Sequence, residues 1–152
     1  MYGYLRKSTK NWKGGVWTPM IGLDTGFFVT LLRKGSKAVG VWKGIIDGDE
    51  SVVSCLTLFE LQRLSLKGAI EPNAVDTLLE AIRAICKVVW LDKTEILTAA
   101  ATISQSYGIH SIDSLILASL TTLNVKTIYT TDSHIEKYKK KGINIVNMVA
   151  FL

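Results

Sequence analysis

Four acidic residues stand where apolar, strand-like runs give way to helices or where a helix begins: Asp24, Glu60, Asp113 and Asp132. Asp24 ends the run Met20-Ile21-Gly22-Leu23, and Glu60 comes shortly after Val52-Val53-Ser54-Cys55. Asp132 follows Thr127-Ile128-Tyr129-Thr130, and Asp113 opens the helical segment Ile112 to Leu120. In an open parallel sheet covered by helices, strand carboxyl ends and helix amino ends meet along one edge, where ligands bind. Carboxylates gathered at such an edge repel one another and hold raised pKa values unless a cation compensates. An oxygen-only donor set of this kind suits a hard divalent ion such as Mg²⁺ or Mn²⁺, completed by water and substrate phosphate.

Taken singly, each acid has a plainer role. Thr57-Leu58-Phe59-Glu60 and Ser133-His134-Ile135-Glu136 both match a helix capping box. Asp24 is placed to cap a helix beginning at Thr25, and Asp113 lies in a first turn, where the helix dipole favours negative charge. Asp92, before a helix expected from Lys93, reads as an acid that only starts a helix. The set carries more weight than its members, because Asp24 lies in the apolar context Ile-Gly-Leu-Asp-Thr-Gly-Phe-Phe, where Thr25 would cap at lower desolvation cost.

The elements that would position these acids alternate along the chain. Short apolar runs at Met20–Leu23, Ser51–Cys55, Lys87–Leu91, Lys126–Thr130 and Ile143–Val146 read as strands buried on both faces. Helices are expected over Thr25–Arg33, Ser36–Ile46, Leu58–Lys67, Pro72–Cys86, Lys93–Tyr107 and Ile112–Thr122, with a short one reaching Lys140. Strands alternating with helices define an α/β class with a parallel sheet between helical layers. No Gly-rich phosphate loop is present: Gly14-Gly15 precedes any strand, and Gly22 to Gly26 lacks the further residues of a P-loop.

The 152 residues suffice for one domain with a substantial core, from about residue 20 to 152. Apolar stretches fall short of the ~18 residues that a membrane span needs. Asp24 interrupts the first apolar run and no small-residue cleavage pattern follows, so neither export nor a membrane location is expected. Cys55 and Cys86, without a CxxC or a spaced His partner, read as buried thiols of a reducing cytoplasm. The net charge of +5 is local, since residues 1–19 carry Arg6, Lys7, Lys10 and Lys13 without an acid, leaving 14 basic against 13 acidic residues elsewhere. That segment reads as a basic extension, non-native or flexible, with Trp12 and Trp17 keeping open an arm that stacks on single-stranded nucleic acid. Lys137, Lys139, Lys140 and Lys141 around Tyr138 form a second basic cluster, suited to RNA phosphates or to an ordinary solvated face.

At Ile21-Gly22-Leu23-Asp24-Thr25, Ser54-Cys55-Leu56-Thr57-Leu58-Phe59-Glu60-Leu61, His110-Ser111-Ile112-Asp113-Ser114-Leu115-Ile116-Leu117-Ala118 and Ile128-Tyr129-Thr130-Thr131-Asp132, the chain resembles the PIN-domain ribonucleases of the VapC toxin type. Order, context and approximate spacing all agree, from Met20 to the C-terminus. The resemblance implies a three-layer αβα fold with a parallel five-stranded sheet in the order 3-2-1-4-5. It implies that Asp24, Glu60, Asp113 and Asp132 are the catalytic, metal-binding carboxylates of an Mg²⁺- or Mn²⁺-dependent endoribonuclease. Thr131 matches a small hydroxyl residue before the last acid, and Thr25 and Ser54 become supporting donors. A cognate antitoxin and a homodimer are the partners it implies. Some relatives carry an additional acid just after the last one, where this chain has Ser133, His134 and Glu136. Two other readings fit these residues. One is a non-catalytic nucleic-acid or protein-binding module. The other is a metal-dependent phosphohydrolase, which Asp24-Thr25-Gly26 disfavours because it lacks a second acid.

Overall fold

The computed structural model describes the backbone of residues 12–13, 16–17 and 19–151. The central sheet comprises β1 (Met20–Leu23), β2 (Ser51–Ser54), β3 (Lys87–Val89), β4 (Val125–Thr130) and β5 (Asn144–Asn147). All neighbouring pairs are parallel, in the order β3-β2-β1-β4-β5. The helices are α1 (Thr25–Leu32), α2 (Ser36–Ile46), α3 (Cys55–Leu66), α4 (Pro72–Ile85), α5 (Thr94–Tyr107) and α6 (Ser111–Thr121). Topology and strand order agree with the expected α/β architecture.

The two helical layers follow from strand residues that alternate between faces. Val52 packs with Ile96, Ile103, Ile116, Leu117 and Ile128 beneath α5 and α6. Its neighbour Val53 packs on the other face with Phe27, Phe28, Leu61, Val75 and Ile82 beneath α1, α3 and α4. Phe28 joins α1 to α2 through an edge-on contact with Trp42, 5.8 Å between ring centroids. Among the described residues no helix is long and apolar enough to cross a membrane.

Several local expectations are corrected. The Ser54 hydroxyl accepts the Leu56 N–H at 3.2 Å, so β2 ends at Ser54 and α3 begins at Cys55, three residues before the expected Leu58. Thr57 is therefore a buried residue inside α3 and caps nothing, which removes the Thr57–Glu60 capping box. The Ser133–Glu136 box is likewise absent: Asp132, not Ser133, receives the His134 N–H, and only a 3₁₀ turn, Ile135–Lys137, follows. Lys93 is the N-cap of α5 and no side chain caps that helix, so Asp92 does not act as a cap. Cys55 and Cys86 are half-buried instead of fully buried. Burial nevertheless pushes the Cys86 thiol up to about 11, so it stays protonated at neutral pH.

The leading segment falls mainly outside the described residues, including its basic Arg6, Lys7 and Lys10. Within it, Trp12–Lys13 and Val16–Trp17 pair antiparallel, with Trp12 opposite Trp17, a pairing that the sequence did not lead us to expect.

Candidate active site

Asp24 leaves the end of β1 and serves as the N-cap of α1, so it is at once a capping residue and a member of the acidic set. Its Oδ1 accepts the Phe27 N–H at 3.0 Å, and its Oδ2 accepts the Thr130 hydroxyl. Thr130 Oγ1 in turn accepts the Asp132 N–H at 2.9 Å, so one hydroxyl donates to Asp24 and accepts from Asp132. Thr130 is fully buried and links the ends of β1 and β4, tying two of the four acids to one hydroxyl. Sequence reasoning singled out Thr131 instead. The signal for Thr130 was the parallel register: Leu23 pairs with Tyr129, so the next residue on each strand, Asp24 and Thr130, lie side by side.

Thr131 has a different part. A Cβ on Gly26 would lie 2.0 Å from Thr131 Oγ1, so this threonine packs directly over the first turn of α1. Only a residue without a side chain permits that approach. Gly26→Ala should displace the Thr131–Asp132 segment while leaving the sheet intact. We expect a drop of at least about tenfold in site activity with circular dichroism unchanged, in line with the cost of small misplacements in a site. Parental activity in this variant would show that the close packing is incidental.

Glu60 projects from the second turn of α3 and accepts the Thr25 hydroxyl at 2.6 Å, while Thr25 Oγ1 also stands 3.2 Å from the Thr57 hydroxyl. This joins the start of α1 to α3 and makes Thr25 the donor that orients Glu60. Asp113 occupies the first turn of α6 and is half-buried. Asp24, Thr25, Glu60, Asp113, Thr131 and Asp132 line one recess of about 130 Å³, to which Ile116 and Ile135 add apolar lining. The ends of two adjacent strands, β1 and β4, and two helices, α3 and α6, thus deliver all four acids to the same place.

Their electrostatics reflect the crowding. Burial is the main force holding the Asp24 carboxyl up at about 6; its bonds to Thr130 and Phe27 oppose this, and the charges of Asp132 and Asp113 add to it. Burial also raises Asp113, followed by repulsion from Asp132 and Glu60 and by a hydrogen bond to Asp132 that favours the protonated form. Among the described residues, no three His, Cys, Asp or Glu side chains are already arranged as a metal shell. The donor set nevertheless fits a hard cation in kind: it is all oxygen, mutually repelling and partly desolvated.

Ser54 does not join this recess. Its hydroxyl donates to Ser119 at 3.1 Å, binding β2 to α6 inside the core. Lys137, Lys139, Lys140 and Lys141 are exposed around a buried Tyr138, whose ring stands edge-on to Tyr107. His134 contacts Asp132 through both its backbone and its ring. A larger groove of about 740 Å³ lies beside α3 and α4, with exposed Phe59, Leu66 and Trp90, but it contains no member of the acidic set. Chemistry, not size, marks the smaller recess as the candidate site.

Fold and recess together define an αβα protein with a carboxylate site at the carboxyl edge of a parallel sheet. The chain belongs to the PIN domain family, which matches residues 21–141. Among solved structures, it is similar to DNA-bound VapBC from Salmonella typhimurium, with a TM-score of 0.64 and 16% identity over 84% of this chain and 97% of that one. It is also similar to VapBC2 from Rickettsia felis bound to a promoter DNA fragment, with a TM-score of 0.63 and 13% identity over 84% of this chain and 97% of the other. VapBC-1 from nontypeable Haemophilus influenzae gives a TM-score of 0.62 and 16% identity over 86% and 98%. At these identities the likeness is one of fold. No match to a curated protein was found by sequence.

Proposed function

We propose that this chain is a metal-dependent endoribonuclease of the VapC toxin type, with Asp24, Glu60, Asp113 and Asp132 as its catalytic carboxylates. The observation that carries the reading is the convergence of all four on one recess, with Asp24 and Asp113 both pushed toward the protonated form. A bound Mg²⁺ or Mn²⁺ would supply a water of lowered pKa and charge stabilisation for the leaving oxygen. Asp24, Asp113 and Asp132 would hold it. The Thr130 hydroxyl opposes the shift of Asp24 toward protonation by donating to its carboxylate, and Thr25 holds Glu60 where it would orient the attacking water. The exposed lysines 137, 139, 140 and 141 would contact RNA phosphates without regard to base, and no side-chain nucleophile is required.

An antitoxin that covers the recess and a homodimer are the partners we assign to this reading. The apolar groove beside α3 and α4 provides a face that a protein partner would bury.

A binding module is the competing reading, favoured by the fact that Asp24 and Asp132 both accept backbone N–H groups as ordinary turn-forming acids do. One experiment separates the two. Chelator-stripped protein is incubated with single-stranded RNA, with and without millimolar Mn²⁺, and its melting is followed in parallel. We expect cleavage only with metal, and a stabilisation of about 2.7 kcal/mol once Mn²⁺ reaches a hundredfold excess over its Kd. RNA that stays intact, with an unmoved melting temperature, would leave the binding module as the better description.

A further inference from the structure

The geometry points to His134 as a positioning residue for Asp132, one that fixes which carboxylate oxygen this acid offers to a cation. The inference rests on the metal-dependent reading above and extends it to a side chain outside the acidic set.

Asp132 Oδ1 accepts two N–H groups from the same residue, the His134 backbone N–H at 2.9 Å and the ring Nδ1 at 3.0 Å. A carboxylate oxygen offers two lone-pair directions, so these bonds use both. Oδ2 is left for the recess, where Asp132 also stands within hydrogen-bonding reach of Asp113. Asp132 would therefore ligate through one oxygen only. A carboxylate oxygen can only accept, so Nδ1 must carry its hydrogen. The neutral Nδ1–H tautomer and the imidazolium both meet that condition, and the contact survives either charge state.

The base of this arrangement is rigid even though the His134 ring is 59% exposed. The next residue, Ile135, is 2% exposed in the core, and its N–H donates to the Asp132 carbonyl at 3.2 Å. The Lys137 N–H in turn donates to the His134 carbonyl at 3.2 Å. On the other side of Asp132, its own N–H is held by Thr130. Backbone and carboxylate are thus constrained independently: Thr130 and Ile135 fix where Asp132 starts, and His134 fixes how its side chain is turned. Outer-shell donors of this sort orient metal ligands, and their loss weakens metal affinity or activity by 10- to 100-fold in typical sites.

Two near-conservative substitutions distinguish the ring nitrogens. His134→Asn places an amide N–H where Nδ1 stands, whereas His134→Gln reaches to the position of Nε2 and abandons Nδ1. Mn²⁺ affinity is measured by calorimetric titration of the intact protein and of the Asn, Gln and Ala variants, and RNA affinity is measured in chelator. We expect His134→Gln and His134→Ala to raise the Mn²⁺ Kd about tenfold, with His134→Asn within about threefold of the parent. Metal-free RNA affinity should be the same in all four proteins. A Gln variant that binds Mn²⁺ like the parent overturns the inference, as does an Asn variant as impaired as Ala. Loss of RNA affinity in chelator would instead make His134 a phosphate contact. If the parent itself binds no Mn²⁺, the nuclease reading fails and this inference fails with it; parental binding with an unaffected Gln variant defeats the inference alone.

Discussion

Asp24→Asn, Asp113→Asn, Asp132→Asn and Glu60→Gln should each reduce metal-dependent RNA cleavage by on the order of a hundredfold or more, the size seen when a group stabilising transition-state charge is lost. Each change nearly preserves shape and removes the charge that would hold a cation. Asn caps a helix about as well as Asp, so a purely capping role at Asp24 predicts little change in either stability or activity. The Asp24 variant keeps an oxygen for the Phe27 N–H, while its amide nitrogen now faces Thr130 and reverses the direction of that bond. Asp92→Asn is the internal control, because Asp92 is exposed at the end of the edge strand and takes no part in the recess. Its cleavage rate and Mn²⁺ affinity should match the parent. Full activity in Asp24→Asn, or equal loss in Asp92→Asn, would show that the site is misassigned.

The second large effect is on stability against pH in chelated protein. Asp24 has its carboxyl raised from 3.8 to about 6, so the folded state binds this proton more tightly than the unfolded chain does. The sign follows directly. Stability is greatest below about pH 4 as far as this group is concerned, falls as pH rises through about 6, and is then level. At 1.36 kcal/mol per pH unit, the difference between the two plateaus is about 3 kcal/mol. Asp113 is raised as well and acts in the same direction. Asp24→Asn has no charge to bury, so its denaturation free energy should lack this fall and exceed that of the chelated parent near pH 7. Saturating Mn²⁺ favours the ionised carboxylate, lowers the folded-state pKa toward the unfolded value and should shrink or abolish the parent's fall. Parallel stability curves for parent and variant between pH 4 and 7, measured in chelator, would refute the account of Asp24 as a destabilising buried charge.

Both effects depend on acids whose roles were partly legible in the chain itself. Apolar strand runs of four or five residues and helix stops such as Gly108, which adopts φ 64°, were enough to indicate an alternating α/β fold. The places that misled were those where a polar side chain chose between local partners. Thr57 and Glu60 have the spacing of a capping box, yet Ser54 starts the helix first and Glu60 turns to Thr25, 35 residues away. Ser54 looked like a donor to the site and is instead committed to Ser119 on α6.

Hydrophobic period and turn chemistry act over a few residues, so the sequence by itself determined the element types, the parallel class, and the presence of acids at strand ends and helix starts. Strand pairing and helix packing act between residues far apart in the chain. Only the tertiary structure therefore decided that Thr130 would bridge Asp24 and Asp132, that Gly26 would admit Thr131, and that one oxygen of Asp132 would be turned away by His134. A hydroxyl or an imidazole has no partner until folding brings one within about 3 Å, and the cost of leaving a buried polar group unpaired then selects which partner it keeps.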